Sequence, residues 1–278
     1  MKYSTINLDL EPKIDILDVL EFNETGFIVF RNIIPLNLIE LILQEIELVE
    51  ISNKNIDNKD FYYEYSILNP CIKQLRRIER ITNYCMTIRY ILGSDYIYNL
   101  LKKINGCNYT LFKDKLNLKL PGSNGFRAHI DGHFYWIDSN NNKRKGWLEY
   151  GQDFINLMMP LDQAGLKNGC LEICPRNYTT KLFGNSWEEI TSNLEDNGPY
   201  IKPADTTKLP IIPIEVIPGD IVLFSWINAH SSKVNLSKQS RRLVYATYSP
   251  TYFGNNRDIY YFDKAYSKQS LNEKMLLK

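Results

Sequence analysis

Beyond residue 108 the chain alternates between apolar and polar positions. YTLFKDKLNLKL (109–120) has the two-residue period of a half-buried strand, and PGSNG (121–125) after it is loop chemistry. RAHIDGHFYW (127–136), DFINLMMPLD (153–162), GCLEIC (169–174), IPIEVIPGDIVLFSWINAH (212–230) and RRLVYATYSP (241–250) are further short strands divided by turn signals, with a polar loop at DSNNNKRKG (138–146). Before residue 107 the pattern is different. LNLIELILQEIELVEI (36–51) is apolar with charges on one side and follows Pro35, a normal helix entry. RIERITNYCMTIRYILGSDYIYNLLKKING (77–106) keeps helical spacing and stops on Asn105-Gly106, while GFIVFRNII (26–34) reads as a strand. Many short strands without long helices between them predict a mainly β fold with helices (α+β), a sandwich or barrel with helices packed outside. We expect one domain over 1–278: helical support to about 106, a β core over about 107–262, and a tail from 263.

Composition narrows the function classes. Thirty-three basic residues against 32 acidic ones give a net charge of +1, so neither nucleic acid nor an anionic membrane is an expected partner. The start, MKYSTINLDLEPKID, lacks the basic and apolar regions of a signal peptide, and no apolar run approaches the roughly 20 residues of a membrane span. Five irregularly spaced cysteines, Cys71, Cys85, Cys107, Cys170 and Cys174, fit reduced thiols and a cytoplasmic setting. The pair in CLEIC is a weak metal signal without a second pair.

The chemistry gathers around three histidines. His129 and Asp131 lie two residues apart, so on a strand an imidazole and a carboxylate share one face while Ile130 turns to the opposite layer. His230 ends the strand-like run GDIVLFSWINAH. Two histidines and one carboxylate that leave positions open form the set that binds non-haem Fe(II) in oxygenases. Arg241 opens a strand with Leu243, Tyr245 and Thr247 on its face. An arginine aimed into an apolar barrel needs an anion, and a dicarboxylate gripped by the guanidinium fork would serve; Arg242 then faces away.

The HxD, the distal His with Ser232 two, Asn235 five and Arg241 eleven residues later, and the stretches GFIVFRN, LRRIER, LFKDKLNLKLPGS, NGCLEICP, PGDIVLFSW and YFGNNRDIYYFDK together resemble the phytanoyl-CoA dioxygenase family over nearly the whole chain. The resemblance implies a double-stranded β-helix (jelly-roll) and dependence on Fe(II), 2-oxoglutarate and O2. It implies that His129, Asp131 and His230 hold the iron, that Arg241 and Ser232 bind the far carboxylate of 2-oxoglutarate, and that Asn117 contacts the same cosubstrate. Tyr135 and Trp136 would lie near the substrate mouth. His133 is either structural or a contact to substrate or ligand.

Two features depart from or refine the family pattern. Where the family usually reads Pro-Gly-Ser-His, this chain has Pro175-Arg176-Asn177-Tyr178, making Arg176 either a recognition residue or a solvated charge. Asp131 is retained where related halogenases lack the carboxylate, which favours hydroxylation, or desaturation or ring closure. A zinc hydrolase would use the same three ligands but leaves Arg241 without a partner, and a non-catalytic jelly-roll would need none of them. The expected substrate is a small metabolite, first a natural-product scaffold such as an alkaloid, with an aminophosphonate or acyl-CoA as the alternative. No basic cluster suited to CoA is evident, and the aromatic supply (Trp147, Tyr150, Trp226 beside HFYW) suits a compact polar or cationic molecule.

Overall fold

A computed structural model describes residues 11–53, 58–132, 136–138, 140–183 and 200–265. Two antiparallel sheets face each other. The larger contains β1 (Phe27–Phe30), β2 (Phe61–Tyr65), β3 (Lys73–Glu79), β4 (Tyr109–Lys119), β8 (Ile155–Pro160), β11 (Ile221–Ser225) and β13 (Arg241–Pro250), ordered β1-β11-β8-β13-β4-β3-β2. The smaller contains β5 (Phe126–His129), β9 (Leu171–Ile173), β10 (Ile212–Ile214) and β12 (His230–Ser232), ordered β10-β9-β12-β5. A short ribbon pairs β6 (Trp136–Ile137) with β7 (Lys143–Arg144).

The period of two assigns each face of the large sheet. Ile155, Leu157 and Met159 of β8, Ile221 and Leu223 of β11, Leu116 and Leu118 of β4, and Val244, Ala246 and Tyr248 of β13 all point to the outer core. That core is closed by α1 (Ile16–Thr25), α2 (Leu36–Asn53), α3 (Met86–Leu92) and α4 (Asp95–Asn105). The opposite parity, Met158, Val222, Phe224 and Leu243, meets Leu171 and Ile173 of the small sheet. The inner face of β4 and β13 is polar where the apolar filling stops, and that gap is the pocket described below.

The helical reading of 77–106 needs correction. Residues 73–79 form β3, because their side chains find partners on β2 and β4 rather than along a helix: Arg77 stands opposite Tyr62 and Asn117, and Glu79 opposite Lys115. The rest divides into α3 and α4 at Gly93-Ser94, where the Ser94 hydroxyl accepts from the Ile97 amide and restarts the helix. FYYEY (61–65) is a second strand that helical spacing conceals, and the polar loop over 138–146 contains β7. Helix 36–51, the GFIVF strand and the stop at Gly106, left-handed at φ 73°, are as expected. Among the described residues the cysteines are free thiols, and no helix is long and apolar enough to cross a membrane.

Helix α2 docks through Leu38, Ile39, Ile42 and Ile46 and leaves Leu48 and Ile51 exposed. Ile42→Ala should therefore cost about 2–5 kcal/mol of stability, the range for emptying a buried aliphatic site. Leu48→Ala, on the same helix, should stay within about 0.5 kcal/mol. Denaturant midpoints for the two variants distinguish this docking face from any other.

Candidate metal centre and the pocket around it

Strand register builds the centre. His129 ends β5 and His230 begins β12, and the antiparallel ladder sets them opposite each other with ring centroids 4.1 Å apart. Asp131 follows, but not on the strand as expected: β5 stops at His129, and a bend carries the carboxylate back to the same side. Gly132, at φ 83°, makes that bend, and a Cβ there would come within 2.7 Å of the Trp226 ring. Asp131 Oδ1 lies 4.0 Å from His129 Nε2, and Oδ2 lies 3.7 Å from His230 Nε2. One donor atom from each residue falls within 4.8 Å of the others. Ile130 turns the other way, into a small cluster with Ala128, Cys174 and Ala229.

Both imidazoles are oriented from behind. His129 Nδ1 lies 2.8 Å from the Arg127 carbonyl and His230 Nδ1 lies 3.0 Å from the Asn228 carbonyl. Because a carbonyl only accepts, Nδ1 carries the proton and the Nε2 lone pairs face each other and Asp131. Burial, then the neighbouring His230, pushes His129 down to about 3, so it is neutral at physiological pH. Burial opposes charge on Asp131, but His230, His129 and the nearby lysines outweigh it and hold the carboxyl below its usual range. Two imidazoles presenting Nε2 and a carboxylate are the donor set a divalent cation takes.

Asp131 is fixed in turn. Asn156 Nδ2 of β8 donates to its Oδ2 at 2.8 Å, and Thr247 Oγ1 of β13 donates to Asn156 Oδ1 at 2.7 Å. Supports of this kind are worth roughly 10- to 100-fold in metal affinity. Asn156→Leu should therefore weaken Fe(II) or Co(II) binding by about that factor under anaerobic titration while leaving the melting temperature close to wild type. Unchanged affinity would remove the relay from the account.

The cosubstrate side fits an anion. Arg241 is 1% exposed, and its Nε and Nη1 have no hydrogen-bond acceptor. Arg242, as expected, faces outward and closes a bidentate pair with Asp162 at 2.8 Å. Asn117 and Ser232 line the pocket, and Asn117 Oδ1 is likewise buried without a partner. Arg241 is not itself a lining residue but meets Tyr245, which lines the pocket with the two histidines and Asp131. A buried guanidinium with spare donors behind such a centre is what a chelating dicarboxylate completes, so the residues present fit both iron and 2-oxoglutarate.

Sequence reasoning passed over Lys119, which stands opposite Arg241 in the β4–β13 ladder. Its ammonium donates to Ser232 Oγ at 2.8 Å and to the Lys233 carbonyl. Burial, then Arg241, pulls Lys119 down to about 6. A carboxylate bound beside Arg241 would favour the charged form and raise that value. Cosubstrate binding should then take up a proton, and affinity should fall as pH rises above about 6 by up to roughly tenfold per unit. Calorimetry in buffers of different ionisation enthalpy reads the uptake; heats independent of buffer would show that Lys119 is charged beforehand.

Asn156, Thr247, Lys113, Lys115 and Tyr245 complete the lining and were also missed. The expected aromatic wall is partial: Trp147 lines the pocket, whereas Tyr150 and Trp226 belong to an aromatic core with Phe112 and Phe154. Arg176 begins the helix Arg176–Phe183, donates to the Asn23 carbonyl at the end of α1, and is not among the lining residues. His133 and Tyr135 lie outside the described residues, and Trp136 is described only as part of β6.

Residues 22–243 match the family model for phytanoyl-CoA dioxygenase (PhyH). The chain belongs to this family, whose members are Fe(II)- and 2-oxoglutarate-dependent oxygenases. It is 32% identical over 191 residues to a 2-aminoethylphosphonate dioxygenase from uncultured bacterium HF130_AEPn_1, covering 68% of this chain and 64% of that one. It is 30% identical over 189 residues to a methylphosphonate hydroxylase from Gimesia maris, with the same coverage of 68% and 64%. The chain thus spans just under two thirds of these relatives. The fold matches the crystal structure of EctD from S. alaskensis with 2-oxoglutarate and 5-hydroxyectoine at TM-score 0.64 and 14% identity, over 86% of this chain and 77% of that one. The double-stranded β-helix expected from the resemblance is therefore the fold observed.

Proposed function

We propose that this protein is an Fe(II)- and 2-oxoglutarate-dependent dioxygenase that hydroxylates a small phosphonate. The observation that carries the reaction class is the combination of His129, Asp131 and His230, gathered within 4.8 Å, with a buried Arg241 whose Nε and Nη1 lack an acceptor. When bound, iron couples oxidative decarboxylation of 2-oxoglutarate by O2 to oxygen insertion into a C–H bond: substrate–H, 2-oxoglutarate and O2 become substrate–OH, succinate and CO2.

The protein's residues have separate tasks. His129 and His230 present Nε2 because their Nδ1 protons are held by backbone carbonyls. Asn156 aims Asp131. Arg241, with Lys119 and Ser232 beside it, receives the far carboxylate and so fixes the keto-acid end toward the metal ligands. Phe224, Leu171 and Trp147 keep part of the wall apolar and limit water. A zinc hydrolase would use the same ligands, but it gives the buried guanidinium no partner.

The substrate reading moves away from the natural-product scaffold expected first. Two relatives near one-third identity are named for phosphonates, and this supports the alternative instead.

The test is anaerobic addition of Fe(II) and then 2-oxoglutarate, followed by the visible charge-transfer band. Wild type should show the band, Asp131→Ala should not, and Arg241→Ala should need far more 2-oxoglutarate. Under O2, 2-aminoethylphosphonate or methylphosphonate should then raise succinate release above the substrate-free rate. Tight zinc binding with no band would overturn the oxygenase reading; a band with no stimulation would overturn only the phosphonate.

A further inference from the structure

The alternation that brings Asn117 and Lys119 to the inner face of β4 brings two more lysines with them. Lys113 and Lys115 line the pocket together with His129, Asp131 and His230. In the ladder Lys113 stands opposite Thr247 and Lys115 opposite Tyr245, so the cations sit at the metal end of the strand while Lys119 and Arg241 sit at the cosubstrate end.

Their surroundings are unusual for half-buried lysines. Among the described residues neither ammonium has a hydrogen bond or a carboxylate partner. Each rests instead against aromatic faces. Lys113 Nζ lies 5.5 Å from the Trp147 ring centre and 5.8 Å from that of Tyr260, and Lys115 Nζ lies 5.5 Å from that of Tyr245. Glu79, the nearest acidic residue on β3, is engaged by Lys264 at 2.8 Å and Arg77 at 3.1 Å. Ring faces hold a cation in place but do not neutralise it.

Charge balance at the centre identifies what is missing. Iron's two positive charges are met by Asp131 and the near carboxylate of 2-oxoglutarate, and Arg241 is met by the far carboxylate. Lys113 and Lys115 remain beside the reacting centre, with Glu79 and Asp131 acting on them only at a distance and each already engaged by other groups. A phosphonate dianion supplies two charges and three acceptor oxygens. We infer that Lys113 and Lys115 form the subsite for the anionic group of the substrate, holding its phosphonate oxygens so that the adjacent carbon faces the metal. Lys115 is pulled down to about 7, first by burial and then by Lys113, whereas Lys113, despite burial, is raised by Tyr260 and Glu79. An anion arriving at the pair would favour the charged form of Lys115. The inference rests on the phosphonate reading above and assigns its recognition residues.

The test uses full-length protein loaded anaerobically with Fe(II) and 2-oxoglutarate, titrated calorimetrically with methylphosphonate, 2-aminoethylphosphonate and, as a control without an anion, ethanolamine. Wild type should bind both phosphonates and not ethanolamine. Lys113→Met and Lys115→Met should each raise Kd roughly 10- to 100-fold, as expected for losing a charge-assisted contact. Lys115→Arg should recover most of the affinity. The charge-transfer band and melting temperature of each variant establish that the metal and cosubstrate ends are intact; a variant lacking the band is replaced by its arginine counterpart. If wild type binds phosphonates and they stimulate succinate release, yet both methionine variants keep wild-type Kd, the lysine assignment is wrong and the phosphonate reading survives. If wild type forms the band but binds neither phosphonate, both fall.

Discussion

A charge removed from water must find a partner or be neutralised, and this constraint governs the interior of the barrel. Arg241 has almost no accessible surface and two donors without acceptors. Leaving such donors unmet costs several kcal/mol, and on the proposed function the far carboxylate of 2-oxoglutarate is what meets them. Arg242 shows the contrast. One residue along the strand and turned outward, it is satisfied within the protein by Asp162. The same strand thus carries one cation paired within the protein and one with donors to spare, separated by the pleat alone.

The two faces of the large sheet explain how such a costly interior is supported. Its outer parity supplies a largely apolar layer against α1 to α4, broken on β4 by Asp114, and this layer carries most of the buried aliphatic residues. Stability gained there lets β4, β8 and β13 spend inner positions on Asn117, Asn156, Thr247 and the lysines. The metal ligands gain from the same division. His129 and His230 are anchored by backbone carbonyls and by strand register, so their geometry does not depend on side chains that a substrate would displace.

Much of this was legible in the sequence because period-two alternation is strict where one face is buried. The inward Arg241 and the outward Arg242 follow from parity; His129 and Asp131 share a side as expected, although a bend after the strand end brings the carboxylate round. The same parity, applied to KDKLNLK, would have placed Lys113, Lys115 and Lys119 beside Asn117; a net charge near zero drew attention away from a cationic wall that the whole-chain sum conceals. β3 reads as helix in sequence because Ile78 and Ile81 of RIERI stand three apart, and only its long-range partners on β2 and β4 decide against a helix. The relay from Thr247 through Asn156 to Asp131 joins residues 25 and 91 positions apart, a proximity set by sheet order that no local pattern encodes.

Sheet order also explains why fold alone leaves the substrate open. A TM-score of 0.64 at 14% identity shows how little sequence the barrel demands beyond its apolar parity. What distinguishes one barrel from another is then the set of inner-face residues near the metal ligands, few in number and free of duties in the outer core. On β4 those are Lys113 and Lys115, on either side of the strand's middle, with Asn117 and then Lys119 following on the same face. A single strand therefore spans both cofactor-facing and substrate-facing chemistry, with the cosubstrate's anion drawn to one end and a second anion favoured at the middle. Separation along the strand keeps two anionic molecules from competing for one set of cations, and it leaves the space between them to the metal ligands.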